Sequence, residues 1–258
     1  QEVREYHLEA ELLHEFRRYG AQAPAYNSIV AAGANACVLH YRADRAPVGS
    51  NDLVLIDAGC EYDGYASDIT RTFPAGGRFS GAQRALYELV LASQEAAVAA
   101  TKAGARFNAP HDATVAVLAQ GLLDLGLLDK NQHGSAQDVI ERRAYFRFYM
   151  HRTGHWLGMD VHDCGSYVEP GEVGQAHERK DPLSGETITD RPSRILRPGM
   201  ALTIEPGLYV RPSDKIPKEF WNIGIRIEDD AFVTETGCEL ITRDVPVKAE
   251  EIEALMRG

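Results

Sequence analysis

Apolar side chains near the start of the chain follow a helical spacing, which then gives way to strand-like runs. Residues 3–19 carry apolar positions on one helix face, and Gly20 follows them. We therefore predict an amphipathic helix that ends at this glycine. Runs rich in β-branched and aromatic residues come next, and they predict strands over residues 28–31, 36–41 and 53–73.

The rest of the chain repeats this alternation of helical and strand-like blocks. Ser80 is a suitable N-cap for the first helix of this part. The polar stretch between Tyr167 and Arg197 has no periodicity and predicts a surface excursion. Blocks of this kind predict an α+β fold. The predicted helices cover residues 80–104, 113–125, 136–143 and 249–256, and the predicted strands cover residues 201–210 and 224–234.

The dipeptide Asp63-Gly64 interrupts the longest strand-like run and is a strong signal for a two-residue hairpin turn. With this turn, Asp57 lies opposite Thr70, and Asp68 falls on the same face of the hairpin as Asp57, diagonal to it. Side chains in such diagonal positions are roughly 7–8 Å apart. The hairpin therefore predicts two carboxylates that converge on one side.

Two aspartates inside an apolar run need a compensating positive charge. Desolvation disfavours each carboxylate, and the like charge of the other adds to the cost. A bound cation would satisfy both Asp57 and Asp68. An ion pair with Arg71 or with another basic residue is the alternative, and the hairpin pattern alone leaves both open.

Three histidines, His151, His155 and His162, lie within twelve residues in a glycine-rich segment. Imidazole can serve as a metal ligand, a proton carrier or an oxyanion donor near neutral pH, so the cluster indicates a functional pocket. The spacing does not say which histidine takes which role. The HExxH pattern is absent, which argues against a mononuclear zinc protease of that type.

Two glutamates also stand in apolar, strand-like surroundings. Glu205 lies in Thr-Ile-Glu-Pro-Gly and Glu228 in Ile-Arg-Ile-Glu-Asp-Asp. Arg226 is two residues from Glu228 and so on the same face of a strand. The two could simply neutralise each other, which is the structural alternative to a role in a site.

Composition narrows the class of protein. The chain has 258 residues, 44% of them hydrophobic, which suits one large core. Its net charge of −11 argues against nucleic acid or an anionic membrane as a partner, and no apolar run approaches the roughly 20 residues of a membrane span. The four cysteines are scattered and form no CxxC pair. We expect reduced thiols and a cytoplasmic location.

Six short motifs, taken in their order and spacing, resemble the Xaa-Pro aminopeptidases (aminopeptidase P). The resemblance covers the chain from about residue 6 to residue 256. It implies the pita-bread fold, with pseudo-two-fold α/β halves around a curved, mostly antiparallel sheet. The motifs are Ile56-Asp57-Ala-Gly, Ser67-Asp68-Ile-Thr-Arg-Thr-Phe-Pro, Gly154-His155-Trp-Leu-Gly, Val161-His162-Asp163, Glu205-Pro-Gly-Leu-Tyr and Gly224-Ile-Arg-Ile-Glu228-Asp.

The resemblance implies a site with two divalent metal ions, with Mn²⁺ as the usual metal. By matching position, Asp57 would bind one ion, Asp68 and Glu228 would bridge both, and His155 and Glu205 would complete the other site. Four carboxylates and one imidazole form a hard ligand set that suits Mn²⁺. A metal-bridged hydroxide would then attack the scissile carbonyl.

Further residues take supporting roles by the same resemblance. Glu205 would accept and carry the proton, while His40, His162 and His151 would orient the substrate carbonyl and help to stabilise the tetrahedral intermediate. Arg226 would orient the acidic ligands. These assignments come from matching positions and not from the local patterns.

The implied activity is hydrolysis of the bond between an N-terminal residue and a following proline, with peptides that carry proline in second position as substrates. Prolidase, which cleaves Xaa-Pro dipeptides, and a binding module that has lost activity are the alternatives. We expect residues 1–258 to form the catalytic domain alone, without the usual N-terminal domain through which such proteins form homo-oligomers. The excursion over residues 168–193 is longer than the resemblance leads us to expect.

Overall fold

In the computed structural model, which describes residues 2–257, helices and strands alternate in blocks as the α+β prediction requires. The helices are α1 (Glu5–Arg18), α2 (Gly81–Ala100), α3 (Ala109–Asp124), α4 (Lys130–His133), α5 (Ala136–Glu141) and α6 (Ala249–Leu255). The strands are β1 (Ala23–Pro24), β2 (Ile29–Ala32), β3 (Leu53–Ala58), β4 (Cys60–Tyr62), β5 (Tyr65–Ala66), β6 (Ile69–Pro74), β7 (His177–Lys180), β8 (Thr187–Asp190), β9 (Ala201–Ile204), β10 (Gly207–Val210), β11 (Ile223–Arg226), β12 (Asp229–Val233) and β13 (Cys238–Leu240).

The first half is built on the predicted hairpin. Asp63 and Gly64 both have positive φ, of 49° and 82°, as a two-residue turn of the hairpin type requires. The strands on the two sides of this turn keep the predicted register, in which Asp57 on β3 lies opposite Thr70 on β6. A side chain at Gly59 would put a carbon 1.7 Å from the Ser67 carbonyl oxygen. Only glycine therefore permits this close crossing beside the two aspartates.

The strands predicted over residues 201–210 and 224–234 are each broken in two, so the prediction of continuous strands is wrong. β9 pairs with β12, whereas β10 pairs with β11 in a separate two-stranded sheet. The first break falls at Glu205 and Pro206, where proline lacks the amide hydrogen that a ladder needs. The second falls at Ile227 and Glu228. Both glutamates lie where the chain passes from one sheet to the other.

Helices α2 and α3 cover the main apolar core. Ser80 caps α2 by accepting a hydrogen bond from the Gln83 amide, as predicted. Leu86 of α2 and Leu118 of α3 are fully buried in a cluster that also contains Ile225 of β11. The helix predicted over residues 113–125 begins earlier, because Pro110 stabilises the first turn of α3. The core thus fixes the position of β11, which ends two residues before Glu228.

Two further predictions need correction. Residues 36–41 form no strand, because the chain turns at Gly33, with φ of 56°, into a 3₁₀ helix over Gly33–Cys37. Close approach to β11 fixes this turn, since a side chain on Gly224 would lie 2.3 Å from the Ala36 carbonyl. The excursion predicted over residues 168–193 is exposed, but it contains the unpredicted β7–β8 hairpin.

Two expectations from the composition concern membrane-spanning helices and the cysteines. No helix among residues 2–257 is both long and apolar enough to cross a membrane. The four cysteines, Cys37, Cys60, Cys164 and Cys238, are all free.

Candidate metal centre

The five predicted ligands come from five separate segments. Asp57 lies on β3 and Asp68 directly before β6, while Glu205 and Glu228 occupy the two breaks between sheets and His155 lies in the glycine-rich loop before β9. All five line one cavity of about 530 Å³. The same cavity is lined by the four other residues that the sequence singled out, His40, His151, His162 and Arg226.

The ligand-type atoms lie close together. Asp68, His155 and Glu228 each offer one atom, and these three atoms lie within 4.8 Å of one another. His155 Nε2 is 3.3 Å from an Asp68 oxygen and 3.6 Å from a Glu205 oxygen. Asp57 lies outside this group of three, but the Tyr26 hydroxyl donates to both Asp57 and Asp68. The convergence predicted for the two aspartates is therefore present.

His155 is held with one ring nitrogen aimed at the carboxylates. Its Nδ1 lies 3.0 Å from the Trp156 carbonyl oxygen, which can only accept, so this nitrogen carries a hydrogen. The other nitrogen, Nε2, faces Asp68 and Glu205. A neutral ring in this tautomer presents the Nε2 lone pair to the cavity, which is the form that binds metals.

The electrostatics of the cluster favour a cation. Burial, followed by repulsion from Asp68 and Asp57, raises the pKa of Glu205 to about 7. Burial and the same neighbours raise the pKa of Glu228 well above its usual value. Burial alone would lower the pKa of His155, but Asp68 and Glu205 raise it to about 9. Burial is the largest cause for the two glutamates, and negative charge that the chain's own side chains do not balance raises the pKa of all three groups.

One arginine partly offsets this charge. Among residues 2–257, Arg226 is the only arginine or lysine in an ion pair with these four carboxylates, at 2.6 Å from Asp57. It forms no ion pair with Glu228 among the described residues, so the alternative in which the two only neutralise each other is wrong. Instead, the Thr70 hydroxyl accepts from Arg226 Nε at 3.2 Å and donates to Glu228 at 2.5 Å.

Arg71, the basic residue named as an alternative partner for the aspartates, points to the opposite side of the sheet. It pairs with Asp229 at 2.8 Å and donates to the Glu228 main-chain carbonyl at 2.5 Å. Strand alternation explains this, because Arg71 is one residue from Thr70, whose side chain faces the cavity. The alternative in which Arg71 neutralises Asp57 and Asp68 is therefore wrong.

The remaining histidines of the cavity are held in different ways. His151 Nδ1 donates to the Arg152 carbonyl, so Nε2 accepts from the Tyr209 hydroxyl at 2.9 Å. Burial and the charge of Arg226 lower the pKa of His151 to about 3, which keeps it neutral. His162 stacks on His155, with ring centroids 3.9 Å apart. His40 is an exposed residue of the cavity lining.

Three site residues were missed at the level of the sequence. The Tyr26 hydroxyl lies 2.5 Å from Asp57 and 2.5 Å from Asp68. Tyr209 accepts from Arg226 at 2.9 Å and so links it to His151. Thr70 carried a usable signal, because the predicted register placed it opposite Asp57. Tyr209 closes the quoted Glu205-Pro-Gly-Leu-Tyr motif, which could have singled it out. Tyr26 carried no local signal, since its contacts depend on how distant segments pack.

The comparisons with known proteins agree with this geometry. The family model described as metallopeptidase family M24 matches residues 1–235. Xaa-Pro aminopeptidase from Escherichia coli strain K12 is 48% identical over 252 residues, which is 98% of this chain and 52% of that protein. The chain therefore spans about half the length of the curated relatives it matches.

Solved structures give the same result for the fold. Pseudomonas aeruginosa aminopeptidase PepP is 52% identical with a TM-score of 0.88, and covers 99% of this chain and 53% of its own. A substitution variant of Escherichia coli aminopeptidase P in complex with substrate is 45% identical with a TM-score of 0.87, over 99% and 52% of the two chains. The predicted pita-bread fold is thereby confirmed.

Proposed function

The chain belongs to metallopeptidase family M24, and from that membership we propose that it forms the catalytic domain of an aminopeptidase that cleaves the bond between an N-terminal residue and a following proline. The observation that carries the proposal is the buried cluster of Asp57, Asp68, His155, Glu205 and Glu228 in one cavity, with negative charge in excess of its basic partners. The names of the relatives, which are 45–52% identical, support the choice of substrate.

We propose the ligand set that the resemblance implies. Asp57 would hold one divalent ion, Asp68 and Glu228 would bridge two, and His155 and Glu205 would complete the second site. The donor chemistry fits, because carboxylate oxygens and one imidazole nitrogen suit a hard ion such as Mn²⁺. The raised pKa values of Glu205 and Glu228 fit as well, since a bound cation would favour their charged forms and offset the repulsion from the neighbouring carboxylates.

When bound, two such ions would activate a water molecule and polarise the scissile carbonyl. The side chains around them have separate tasks. Glu205 can take a proton at one oxygen and return it to the leaving amine. Neutral His151 is held by Tyr209, and His40 and His162 line the same cavity, where they can donate to the substrate carbonyl. Arg226 fixes the position of Asp57.

Two wider predictions remain part of the proposal. A cytoplasmic location is supported by four free cysteines, as a reducing compartment would leave them. Assembly into a homo-oligomer stays a prediction from the family resemblance.

The deciding experiment removes the metal with a chelator, restores Mn²⁺ and compares three substrate sets. We expect restored hydrolysis of Xaa-Pro-Xaa tripeptides and little hydrolysis of Xaa-Ala controls. Cleavage confined to Xaa-Pro dipeptides would make the protein a prolidase. Absence of metal-restored hydrolysis with every substrate would instead indicate the binding module.

The variant Asp68→Asn tests the metal assignment separately. It keeps the size of the side chain and removes one of the two proposed bridging charges, so metal content and activity should fall together. Metal content is measured by mass spectrometry on the dialysed protein. Full activity with a full metal complement would contradict the assignment.

A further inference from the structure

The first turn of α1 holds a buried carboxylate that the proposed mechanism does not use. Glu5 is fully buried, and all four of the groups that donate hydrogen bonds to its side chain are neutral. Hydrogen bonds to an ionised acceptor are roughly twice as strong as those between neutral groups. Glu5 is therefore a firm point of attachment. The donors are the Ala32 amide at 2.8 Å, the Asn35 side chain at 3.0 Å, the Tyr41 hydroxyl at 3.0 Å and the Ala46 amide at 2.9 Å.

These donors belong to two different parts of the molecule. Ala32 ends β2, which pairs with β3, the strand that carries Asp57. Tyr41 and Ala46 belong to residues 38–46, here called the 38–46 loop, which form no helix or strand and are mostly exposed. The buried carboxylate thus joins the sheet of the proposed metal centre to this loop.

The 38–46 loop carries His40 into the catalytic cavity. Leu39 and His40 both line that cavity. His40 is exposed on the cavity wall, so packing constrains its ring little and its position depends on the backbone on either side. Tyr41 follows it directly and donates to Glu5. Burial, followed by this hydrogen bond, raises the pKa of Tyr41 to about 12, so the hydroxyl stays a donor near neutral pH.

The main chain of α1 fixes the far end of the same loop. The amides of Glu5 and Tyr6 donate to the carbonyls of Ala46 at 3.1 Å and Asp44 at 3.0 Å. These amides are among those that a helix leaves unpaired at its N-terminus. The Ala46 amide in turn donates to the Glu5 side chain. The loop is therefore attached to α1 at two successive residues of the helix.

We propose that Glu5 is a positioning residue for His40, which it serves by fixing the 38–46 loop to the sheet that carries Asp57. The inference rests on the proposed function, in which His40 contacts the substrate carbonyl. A displacement of about 1 Å at a reacting centre can cost up to about a hundredfold in rate. Glu5 acts through His40 without touching the substrate. The alternative is that Glu5 only stabilises the fold.

The first test separates kcat from KM. Glu5→Gln keeps the size of the side chain but replaces one acceptor oxygen by an amino group, which faces the amide of Ala32 or Ala46 and repels it. For the substrate Ala-Pro-Ala, kcat should fall about tenfold with a smaller change in KM, because the displaced donor acts mainly in the transition state. Glu11→Gln, at an exposed acid of the same helix, is the matched control and should leave both constants unchanged.

A double-mutant cycle distinguishes positioning from stability. In a His40→Ala background, Glu5→Gln should cost less than about twofold in kcat, because no imidazole remains to be positioned. Equal losses with and without His40 would overturn the proposal. Should Glu5→Gln fail to fold, Tyr41→Phe completes the same cycle with the loss of a single donor. Its cost of about threefold should likewise vanish in the His40→Ala background.

Amide hydrogen exchange of the metal-loaded protein, followed by mass spectrometry, gives a readout without turnover. In Glu5→Gln and in Tyr41→Phe, the 38–46 loop should exchange faster while β3 and β6 keep their protection. Unaltered exchange in the loop, or faster exchange throughout the chain, would contradict a positioning role. Failure of the proposed function would appear differently, as no hydrolysis of any proline peptide by the unchanged protein.

Discussion

Glu228 and Asp229 are adjacent in the chain and almost fully buried, but their carboxylates have opposite surroundings. Asp229 is paired with Arg71 at 2.8 Å and with Arg243 at 2.9 Å. The side chain of Gln94 donates to it at 3.0 Å. Two arginines and an amide therefore satisfy this carboxylate where it lies.

Glu228 faces the other way, into the cavity. Its side chain accepts one hydrogen bond, from Thr70, and its pKa is raised by burial, then by Asp68 and Glu205. Alternation along the strand separates the two environments by one residue. The comparison teaches that burial of an acid does not by itself mark a metal site. A buried acid that has few hydrogen-bond donors and lies among like charges does mark such a site.

The largest effect is expected from a substitution at Asp229, the carboxylate whose charge is balanced by arginines. Asp229→Asn leaves the Arg71 and Arg243 charges buried without their counter-charge, which should lower the free energy of unfolding by about 3–5 kcal/mol. Urea unfolding followed by circular dichroism measures the change. Glu239→Gln, an exposed acid on the neighbouring strand β13, is the control, with an expected change within about 0.5 kcal/mol. A cost below about 1 kcal/mol for Asp229→Asn would contradict the comparison.

The unsatisfied site should make the metal-free protein lose stability as the pH rises from 6.5 to 9. Folded His155 has a pKa of about 9 against 6.5 unfolded, so the folded state holds the extra proton in this window and stability falls with pH. Glu205, raised from 4.5 to about 7, acts in the same direction at the lower end. The loss should be on the order of 2–3 kcal/mol.

This window is chosen because of three other histidines. Below pH 6.5 the lowered pKa values of His111, His151 and His162 act in the opposite direction, since their unfolded forms take up protons first. Thermal unfolding of the chelator-stripped protein at several pH values gives the trend. Adding Mn²⁺ should reverse it, because ligands bind metal in their deprotonated forms. If the stability of the metal-free protein stays constant between pH 6.5 and pH 9, the cluster of carboxylates does not carry an excess of negative charge.

The sequence predicted the hairpin half of the site because turn chemistry is local. Asp63-Gly64 favours positive φ at both positions, the turn sets the register, and the register places Asp57, Asp68 and Thr70 on one face. No packing against distant segments is needed for this inference. It is the part of the site that was derived from the residues themselves.

The other half depends on long-range packing. A run of three acids at 228–230 does not say which one faces the metals, and resemblance alone selected Glu228. The breaks at Glu205 and Glu228 arise where strands change sheets, which no period along the chain records. The β7–β8 hairpin was also beyond prediction, because residues 168–193 have no periodicity of their own.

The smallest effect should come from Thr70, the one side-chain donor to the Glu228 carboxylate among residues 2–257. Thr70 and Thr72 are both fully buried on β6, but the Thr70 hydroxyl joins Glu228 to the Arg226 side chain, whereas the Thr72 hydroxyl bonds only the Arg226 main chain. Thr70→Val keeps the shape and removes the donor that orients a proposed ligand, so metal affinity should fall by about tenfold. Thr72→Val should lower stability and leave affinity unchanged. Competition with a fluorescent chelator measures both, and equal affinities for the two variants would mean that Thr70 is only structural.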